Sequence, residues 1–362
     1  MKPRILYIVP HRFNRSPGQR FRCEHFIPIL QNEGFDITYA NLLSEWDDIH
    51  FYKKNAYPQK LLILIKGFFK RLYHSIQARN YDIIFIYREA FMIGTTLFEH
   101  ILHIWGKPII YDFDDSIWLN DTSDGNKHLA WLKNTKKTNT ILSLSHTVIV
   151  GNSYLAQYAK QFNNNVVIIP TTIDTKYHKP SQTNKHSDSI CIGWTGTETT
   201  QKHYETIIPA LENLYSIFGN SISFRVISNN TITHPILPIQ NISWNANTEI
   251  EDLQAIDIGI MPLPNDEWSK GKCGFKGLQY MALEIPSILS PVGVNSEIIT
   301  HGINGYLAST QAEWEHYLTI LIQDAELRKR IGIAGRKTIE NYYSIESQKQ
   351  RYISIFRNLL PK

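Results

Sequence analysis

The residues best suited to chemistry lie in a short loop rich in glycine and lysine. Gly271 and Gly274 surround Lys272, and Lys276 and Gln279 follow at the i+4 and i+7 positions. We expect a helix to begin at the end of this loop, which brings free backbone N–H groups and a positive dipole end to two ammonium groups. This combination is typical of an anion site, and a diphosphate fits it well. A solvated basic loop is the alternative.

The predicted helix covers about Phe275–Leu283 and stops before Pro286, because the residue before a proline disfavours helical geometry. Lys272, Lys276 and Gln279 share one face only if this helix extends back to Lys272. In that case the two lysines and the amide serve the same ligand.

A second loop, Gly193–Lys202, follows a predicted strand and opens a predicted helix. Small residues such as Gly196 and Thr197 let backbone amides approach a phosphate. The spacing is not G-x-G-x-x-G, so the dinucleotide-binding fingerprint is absent. The loop is either a second phosphate contact or an ordinary turn between a strand and a helix.

Two arginines follow the first predicted strand, in the loop Ser16–Arg22. Guanidinium groups bind phosphate and hydroxyl-rich ligands through paired N–H donors. Arg20 and Arg22 are therefore candidates for clamping an acceptor or a leaving phosphate. A charged surface loop is the alternative.

Three acids, Asp112, Asp114 and Asp115, follow the predicted strand Ile109–Tyr111. Parallel sheets place their binding sites at the carboxyl ends of strands, so these acids are candidates for binding acceptor hydroxyls. Arg88 ends a neighbouring predicted strand and is expected to pair with one of them. The alternatives are an Asp-x-Asp metal motif, which we consider the weaker interpretation, and a helix N-cap.

The segment Lys60–Tyr73 is both basic and apolar. Such a helix can rest on an anionic membrane, where lipid-linked substrates lie. The alternative is a helix that packs on the sheet with lysines at its rim.

These candidates are positioned by short apolar runs that alternate with segments of helical spacing. Continuous apolar strands separated by helices predict parallel sheets covered on both faces, and two such series predict two doubly wound domains. The predicted strands are Ile5–Val9, Asp36–Tyr39, Ile83–Tyr87, Ile109–Tyr111, Thr147–Val150, Val166–Ile169, Ser189–Gly193, Ser223–Ile227, Ile242–Trp244, Ile258–Met261, Ser287–Ser290 and Gly305–Leu307.

The predicted fold is therefore α/β, with two Rossmann-like domains. We expect an N-terminal domain over residues 1–170, a C-terminal domain over 171–345 and a last helix over 346–362 that packs back on the first domain. Residues 183–188 lack apolar periodicity, which indicates a linker or loop.

Composition limits the possible classes of protein. The 362 residues suit about two domains. A net charge of +4 is too small to indicate nucleic-acid wrapping, and 43% hydrophobic residues exclude a disordered chain. The three cysteines are far apart and form no CxxC, which favours free thiols in a reducing cytoplasm. No run of the chain predicts a membrane span or a signal peptide.

The C-terminal half resembles glycosyltransferase family 4, the retaining GT-B transferases of group 1. The resemblance covers most of residues 145–345 and rests on several motifs in order. These are Ile168–Asp174, the Gly/Lys loop, Leu278–Ala282, Pro286, Gly293, Glu297 and Gly302–Leu307.

The resemblance implies two Rossmann-like domains that face each other across a cleft. It implies a nucleotide-sugar donor held by Gly196, Thr197, Lys272, Gly274, Phe275, Lys276 and Gln279, with Trp244 near the base. Our interpretation of the residues adds acceptor contacts at Arg20, Arg22, Arg88, Asp112 and Asp115, and catalytic roles for Lys272, Lys276 and Asp114. The resemblance implies no metal and no cofactor.

The chain departs from the family pattern at three positions. The family's paired glutamates (E-x7-E) fall on Gly271 and Gln279, and Glu284 replaces the usual glycine before Ile-Pro. Glutamine still donates to and accepts from ribose hydroxyls. The missing carboxylates also motivate an alternative function, a non-catalytic subunit that binds sugar nucleotides or glycans.

We therefore expect a cytoplasmic glycosyltransferase that transfers a sugar with retention. Its acceptor is expected to be a glycan or a lipid-linked molecule of cell-envelope polysaccharide synthesis, with possible peripheral membrane contact and no nucleic-acid partner. A nucleotide-sugar epimerase is the remaining alternative. The absence of HExxH, GxSxG and Walker A motifs gives no support to a metalloprotease, an α/β-hydrolase or a P-loop NTPase.

Overall fold

The computed structural model describes residues 2–53, 55–119, 134, 136–181 and 189–360. The chain divides into two compact units. Unit 1 contains Met1–Thr172 and Gln348–Lys362, and unit 2 contains Ile173–Ser347. The predicted linker at 183–188 lies outside the described residues.

Unit 1 is built on a parallel six-stranded sheet in the order β2-β1-β3-β4-β5-β6. The residues of β3 and β4 are buried throughout, as expected for strands covered on both faces. Ile5 pairs with Ile37 on one side and Ile83 on the other, which fixes the register at the centre of the sheet. The strands are β1 Arg4–Val9, β2 Asp36–Asn41, β3 Ile83–Tyr87, β4 Ile109–Phe113, β5 Thr147–Val150 and β6 Val166–Ile168.

Helices connect these strands and cover the sheet. Helix α4 is the longest, and the N-cap Asn152 accepts the amide of Leu155 at 2.9 Å to begin α7. The helices are α1 Pro17–Arg22, α2 Ile27–Asn32, α3 Glu45–Phe51, α4 Tyr57–Gln77, α5 Leu97–Ile104, α6 Lys137–Leu144 and α7 Ser153–Ala159. Among the described residues, no helix is long and apolar enough to cross a bilayer.

Unit 2 repeats the architecture with a parallel sheet in the order β12-β11-β10-β7-β8-β9. Its core is apolar and packs around Trp194, Leu211 and Phe224, all buried. The strands are β7 Ile190–Thr195, β8 Ile222–Ile227, β9 Ile239–Ile242, β10 Ile258–Met261, β11 Ser287–Leu289 and β12 Tyr306–Leu307.

Three helices of unit 2 begin at side chains that accept a free amide, namely Asp266, Thr310 and Asp324. Thr310 and Glu313 form a reciprocal capping box at the start of α14. The helices are α8 Gln201–Glu205, α9 Ile208–Phe218, α10 Glu249–Gln254, α11 Glu267–Lys270, α12 Phe275–Ala282, α13 Asn295–Ile298, α14 Gln311–Gln323 and α15 Ala325–Thr338. A π-helical turn, Ile339–Tyr343, follows α15.

The last helix, α16 (Ile345–Arg357), packs within unit 1 through its second half. The Tyr352 ring stacks on Phe26 with 4.0 Å between centroids, and its hydroxyl lies 3.3 Å from that of Tyr7. Phe356 is fully buried. Aromatic side chains therefore attach this helix to the first sheet.

The predicted α/β class with two parallel sheets is confirmed, as is the predicted start of a helix at Phe275, whereas the predicted strand Ile242–Trp244 is wrong. Helix α12 begins at Phe275, so Lys272 lies in the preceding loop and does not share a helix face with Lys276. Strand β9 ends at Ile242, so Trp244 follows the strand instead of ending it.

Candidate functional site

The start of α12 is shaped by Gly274, which has a φ of 70°. A Cβ at this position would lie 2.4 Å from Cδ1 of Ile298. Because the backbone is left-handed and the space is filled, only glycine fits here. The bend it makes puts Lys272 in the loop and Lys276 in the first turn of the helix.

Both lysines lie over indole rings. The Nζ atom of Lys276 is 5.8 Å from the centroid of Trp194, and that of Lys272 is 5.0 Å from the centroid of Trp268. The rings attract the ammonium groups and hold their stems in place. Both lysines are half-buried, so the two charges are positioned at the surface of unit 2.

The loop after β7 is held against α12. The amide of Thr195 donates to the hydroxyl of Tyr280, which belongs to α12, at 2.9 Å. A Cβ at Gly196 would lie 2.2 Å from the Trp194 ring, so a side chain is excluded. The structure therefore brings together Gly196, Trp194 and Lys276, as the sequence motifs suggested.

The amides of this loop are already used within the protein. Gly196 donates to the carbonyl of Ile227 at 3.0 Å, and Thr197 donates to Oγ1 of Thr200 at 3.0 Å. With Thr195 bound to Tyr280, three successive amides face protein acceptors. The expected approach of these amides to a phosphate is therefore not seen, and the threonine hydroxyls are the groups that line the loop.

A buried histidine reports the local charge. The pKa of His203 is lowered from 6.5 to about 4, first by burial. The positive charges of Lys276, Lys202 and Lys272 lower it further, and Asp266 acts in the opposite direction. The two predicted lysines therefore act on the same point, next to α8 and the β7 loop, and this region favours anions.

Sequence reasoning missed Glu249, a buried carboxylate at the start of α10. Its Oε1 atom accepts from Gln279 Nε2 at 3.2 Å and from the indole N–H of Trp244 at 3.2 Å. Gln279 and Trp244 were both predicted site residues, and Glu249 connects them. The separation of 30 residues between Glu249 and Gln279 leaves no local signal that could have identified it.

In unit 1, Arg88 pairs with two of the predicted acids. Its Nη2 atom lies 2.7 Å from Asp114 and 2.6 Å from Asp115. The hydroxyl of Tyr87 donates to Asp114 at 3.0 Å. The predicted ion pair of Arg88 is confirmed. Residues 17–22, predicted as a loop, form α1, and a Cβ built on Gly18 would lie 2.8 Å from the Tyr87 hydroxyl, so the start of α1 packs directly on this cluster.

Arg22 and Asp112 have a different environment. Both are fully buried, and two N–H groups of Arg22 donate to the carboxylate of Asp112 at 3.1 and 2.9 Å. Arg22 also donates to the carbonyl of Ile169. Burial raises the pKa of Asp112 to about 6, although Arg22 acts against this. Because Arg22 and Asp112 are buried against each other, they have a structural role. A bound acceptor would not reach them, unlike the cluster of Arg88, Asp114 and Asp115.

Arg20 is half-buried, with its guanidinium 4.5 Å from the Phe21 ring. Among the described residues, no group of three or more His, Cys, Asp or Glu side chains is arranged to hold a metal ion. The donor-side candidates thus lie in unit 2, and the acceptor-side candidates lie in unit 1.

Residues 243–338 match the family described as glycosyl transferases group 1. This range contains α12 and the Glu249 network. A curated relative, glycosyltransferase 1 domain-containing protein 1 of Xenopus tropicalis, is 31% identical over 108 residues. That match covers 30% of this chain and 31% of the relative, so the chain matches about a third of the relative's length.

The whole chain is similar to solved structures at low identity. A glycosyltransferase from Rickettsia africae has a TM-score of 0.70 at 14% identity, covering 100% of this chain and 99% of that one. Sucrose-phosphate synthase from Thermosynechococcus elongatus gives 0.67 at 12%, covering 99% of each chain. Anabaena HepE, solved with UDP and glucose, gives 0.63 at 13%, covering 98% of this chain and 99% of that one.

At such low identities, the TM-scores show a shared fold. The family match adds sequence similarity in the segment that contains Lys272 and Lys276. Residues 243–338 therefore match glycosyl transferases group 1, within a chain whose fold is shared with GT-B glycosyltransferases.

Proposed function

We propose that this protein transfers a sugar from a nucleotide-sugar to an acceptor, with retention of configuration and without a metal ion. One observation carries the proposal. Lys272 and Lys276 surround the glycine bend at the start of α12 and both depress the pKa of His203, inside the segment that matches the group 1 family.

The chemistry follows from where charge develops. As the sugar leaves, negative charge grows on the β-phosphate of the donor. Fixed ammonium groups at Lys272 and Lys276 stabilise this charge more in the transition state than in the ground state, and they lower the barrier. Gly274 and Phe275 contribute the positive end of α12. On the side of the phosphates away from α12, Gly196 contributes a closely approaching backbone and Thr197 contributes its hydroxyl.

The nucleoside is assigned to the Glu249 network. Gln279 is held by Glu249 and offers its amide to ribose hydroxyls, and Trp244 stacks on the base or walls its pocket. The carboxylate oxygen Oε1 of Glu249 lies 3.2 Å from Nε2 of Gln279, the residue at the position where the family pattern has its second glutamate. This favours an active enzyme over the non-catalytic subunit.

The acceptor is assigned to the cluster in unit 1. Asp114 accepts a hydrogen bond from an acceptor hydroxyl and orients it for attack, while Arg88, Asp115 and Arg20 contact the rest of the acceptor. Each of the three acids faces a guanidinium group, since Asp114 and Asp115 pair with Arg88 and Asp112 pairs with Arg22. This supports the metal-free mechanism over an Asp-x-Asp cation site.

A glycan or a lipid-linked precursor of cell-envelope polysaccharide is the proposed acceptor class, and the cytoplasm is the proposed compartment. All three cysteines are buried and outside any disulfide, which suits a reducing environment. Peripheral contact with the inner face of a membrane would bring the enzyme to a lipid-linked acceptor.

A thermal-shift screen against UDP-, GDP-, ADP-, dTDP- and CMP-sugars tests the proposal. The true donor raises the melting temperature by mass action, and the shift survives EDTA. UDP-glucose is the first donor to test, because HepE, of the same fold, was solved in complex with it. Loss of the shift in EDTA would favour the metal-dependent alternative.

Lys276→Ala is the matching variant. We expect donor affinity or turnover to fall about 10- to 100-fold, since a charge-assisted contact contributes about 1.5–3 kcal/mol. Lys270→Ala is the control, because Lys270 pairs with Glu267 at 2.6 Å in the same region. Wild-type donor binding and turnover in Lys276→Ala would reject the site. Isomerised donor without an acceptor would indicate an epimerase, and binding without any turnover would indicate a non-catalytic subunit.

A further inference from the structure

Helix α4 presents a continuous apolar stripe to solvent. The stripe residues lie three or four positions apart, and each side chain is at least 43% exposed. Phe69 is the most exposed of them at 64%. They are Tyr57, Leu61, Ile65, Phe69, Tyr73 and Ile76. The helix has 21 residues, so the stripe runs along about 32 Å.

The opposite face of α4 explains how the helix is held. Arg71 is fully buried and donates to the carbonyls of Ala40 and Val9, both at 3.0 Å. Lys60 is also buried. The cations predicted to lie at the rim are therefore partly structural, and Arg71 fastens α4 to the carboxyl ends of β1 and β2.

The charged side chains of α4 itself are all basic. No Asp or Glu occurs within Tyr57–Gln77. Leu62, Lys66 and Lys70 form the next row of the helix at four-residue spacing. Lys66 pairs with Asp47 at 3.2 Å and is still 52% exposed. The apolar stripe is thus bordered by ammonium groups.

An apolar cavity of about 240 Å³ opens beside the stripe. It is lined by Leu64, Ile65, Phe68, Phe69, Phe91 and Ile93. These side chains offer almost no hydrogen-bonding atoms to water, so the cavity suits a hydrocarbon chain. Ile65 and Phe69 belong to both the stripe and the cavity.

We propose that α4 lies flat on an anionic lipid bilayer, with its apolar stripe among the acyl chains, one chain end in the adjoining cavity, and Lys66 and Lys70 at the lipid phosphates. Tyr57 and Tyr73 have the amphipathic rings that favour the membrane interface. This deepens the proposed function by naming the surface that brings the enzyme to a lipid-linked acceptor.

A bilayer fits the stripe better than a second copy of the chain does. In a symmetric dimer with the two stripes antiparallel, the Lys66 and Lys70 rows of the two copies would approach each other, and like charges oppose that contact. Anionic headgroups attract the same rows, and each lysine near such a surface contributes about a fivefold gain in affinity.

Flotation of the full chain with vesicles tests the inference. We expect binding to phosphatidylcholine mixed with phosphatidylglycerol, weaker binding to phosphatidylcholine alone, and release by salt. The variant Leu61→Gln/Ile65→Gln/Phe69→Gln should bind at least about tenfold more weakly. Lys66→Gln/Lys70→Gln should lose most of the preference for anionic vesicles.

A matched control replaces exposed apolar residues of unit 2, in the variant Ile217→Gln/Ile236→Gln/Ile303→Gln. It should float like the wild type. Equal binding of the stripe variant and this control would overturn the inference. So would a wild-type dimer in vesicle-free solution that the stripe variant abolishes, since a second copy would then cover the stripe.

A probe of depth is available because the three native cysteines are buried. An environment-sensitive fluorophore on Phe69→Cys should shift to the blue with anionic vesicles, and the same label on Ile303→Cys should not. No shift at position 69 would contradict insertion. These readouts need no sugar donor. Sugar transfer by a protein that does not bind vesicles would therefore contradict the membrane inference without contradicting the proposed function.

Discussion

At the level of single residues, the site depends on charges that the fold holds close together. Lys272 and Lys276 both disfavour a proton on His203. These positive charges therefore carry an electrostatic cost at His203, and the diphosphate of the proposed donor would offset it. The same cost makes the basic cluster a measurable feature of stability.

Burial of His203, together with these positive charges, gives the stability of the protein a pH dependence. Its pKa is about 4 in the folded protein and about 6.5 in the unfolded chain, so only the unfolded chain takes up the proton between these values. The contribution of His203 to the free energy of unfolding is therefore complete above about pH 6.5 and is lost as the pH falls towards 4. We expect His203→Gln to flatten this part of the profile, measured by urea denaturation at a series of pH values. If the variant and the wild type had the same slope, the pKa of His203 would not be lowered in the folded protein.

At the level of elements, the bend before α12 sets the direction of the helix dipole and the spacing of the two lysines. Gly274 satisfies two requirements, a left-handed backbone and a gap filled by Ile298. Glu284, after the same helix, has a φ of 59°, in the left-handed region that glycine favours. A left-handed backbone at Glu284 is consistent with the glycine that the resembled family pattern has at this position.

Gly274→Ala should disturb both stability and donor binding. The left-handed backbone alone costs a side chain about 1 kcal/mol, and the close approach to Ile298 adds to it. Gly302→Ala is the matched control, because Gly302 has a φ of 76° and a Cβ added there would meet no atom within 4 Å. We expect the free energy of unfolding to fall further in Gly274→Ala, with a donor-induced thermal shift that is lost only there. Equal effects of the two substitutions would show that the contact with Ile298 is unimportant.

At the level of the whole molecule, the chain returns to unit 1 for its last helix. Phe356 is fully buried, with its ring within 6.4 Å of the Tyr7, Phe35 and Phe85 rings. The core of unit 1 is therefore completed by residues from the far end of the sequence. We therefore expect the packing of α16 to contribute to the stability of unit 1.

Phe356→Ala tests this completion. Removing a fully buried aromatic ring typically costs about 3–5 kcal/mol. Arg357→Ala is the neighbouring control, because Arg357 is 57% exposed and forms a surface pair with Glu33, for which about 1 kcal/mol or less is expected. The measurement is the free energy of unfolding from urea denaturation. A loss below about 1 kcal/mol for Phe356→Ala would contradict the packing of α16.

Much of this protein follows from local sequence. Apolar runs predict the parallel strands because buried strands need apolar side chains on both faces. The Gly/Lys loop and its helix follow from glycine, lysine and Pro286 in order. The strand boundary at Trp244 was wrong, because an aromatic residue after a strand has the same local pattern as one within it.

The sequence by itself determined the α/β class, the two sheets and the loop that carries Lys272 and Lys276, since these depend on neighbours along the chain. Only the tertiary structure decided that Gln279 donates a hydrogen bond to Glu249, that Arg22 and Asp112 form a buried ion pair, and that the apolar face of α4 is exposed. Each of these depends on contacts between distant segments. Local pattern shows which side chains are present, whereas burial and pairing are set by what the fold brings against them.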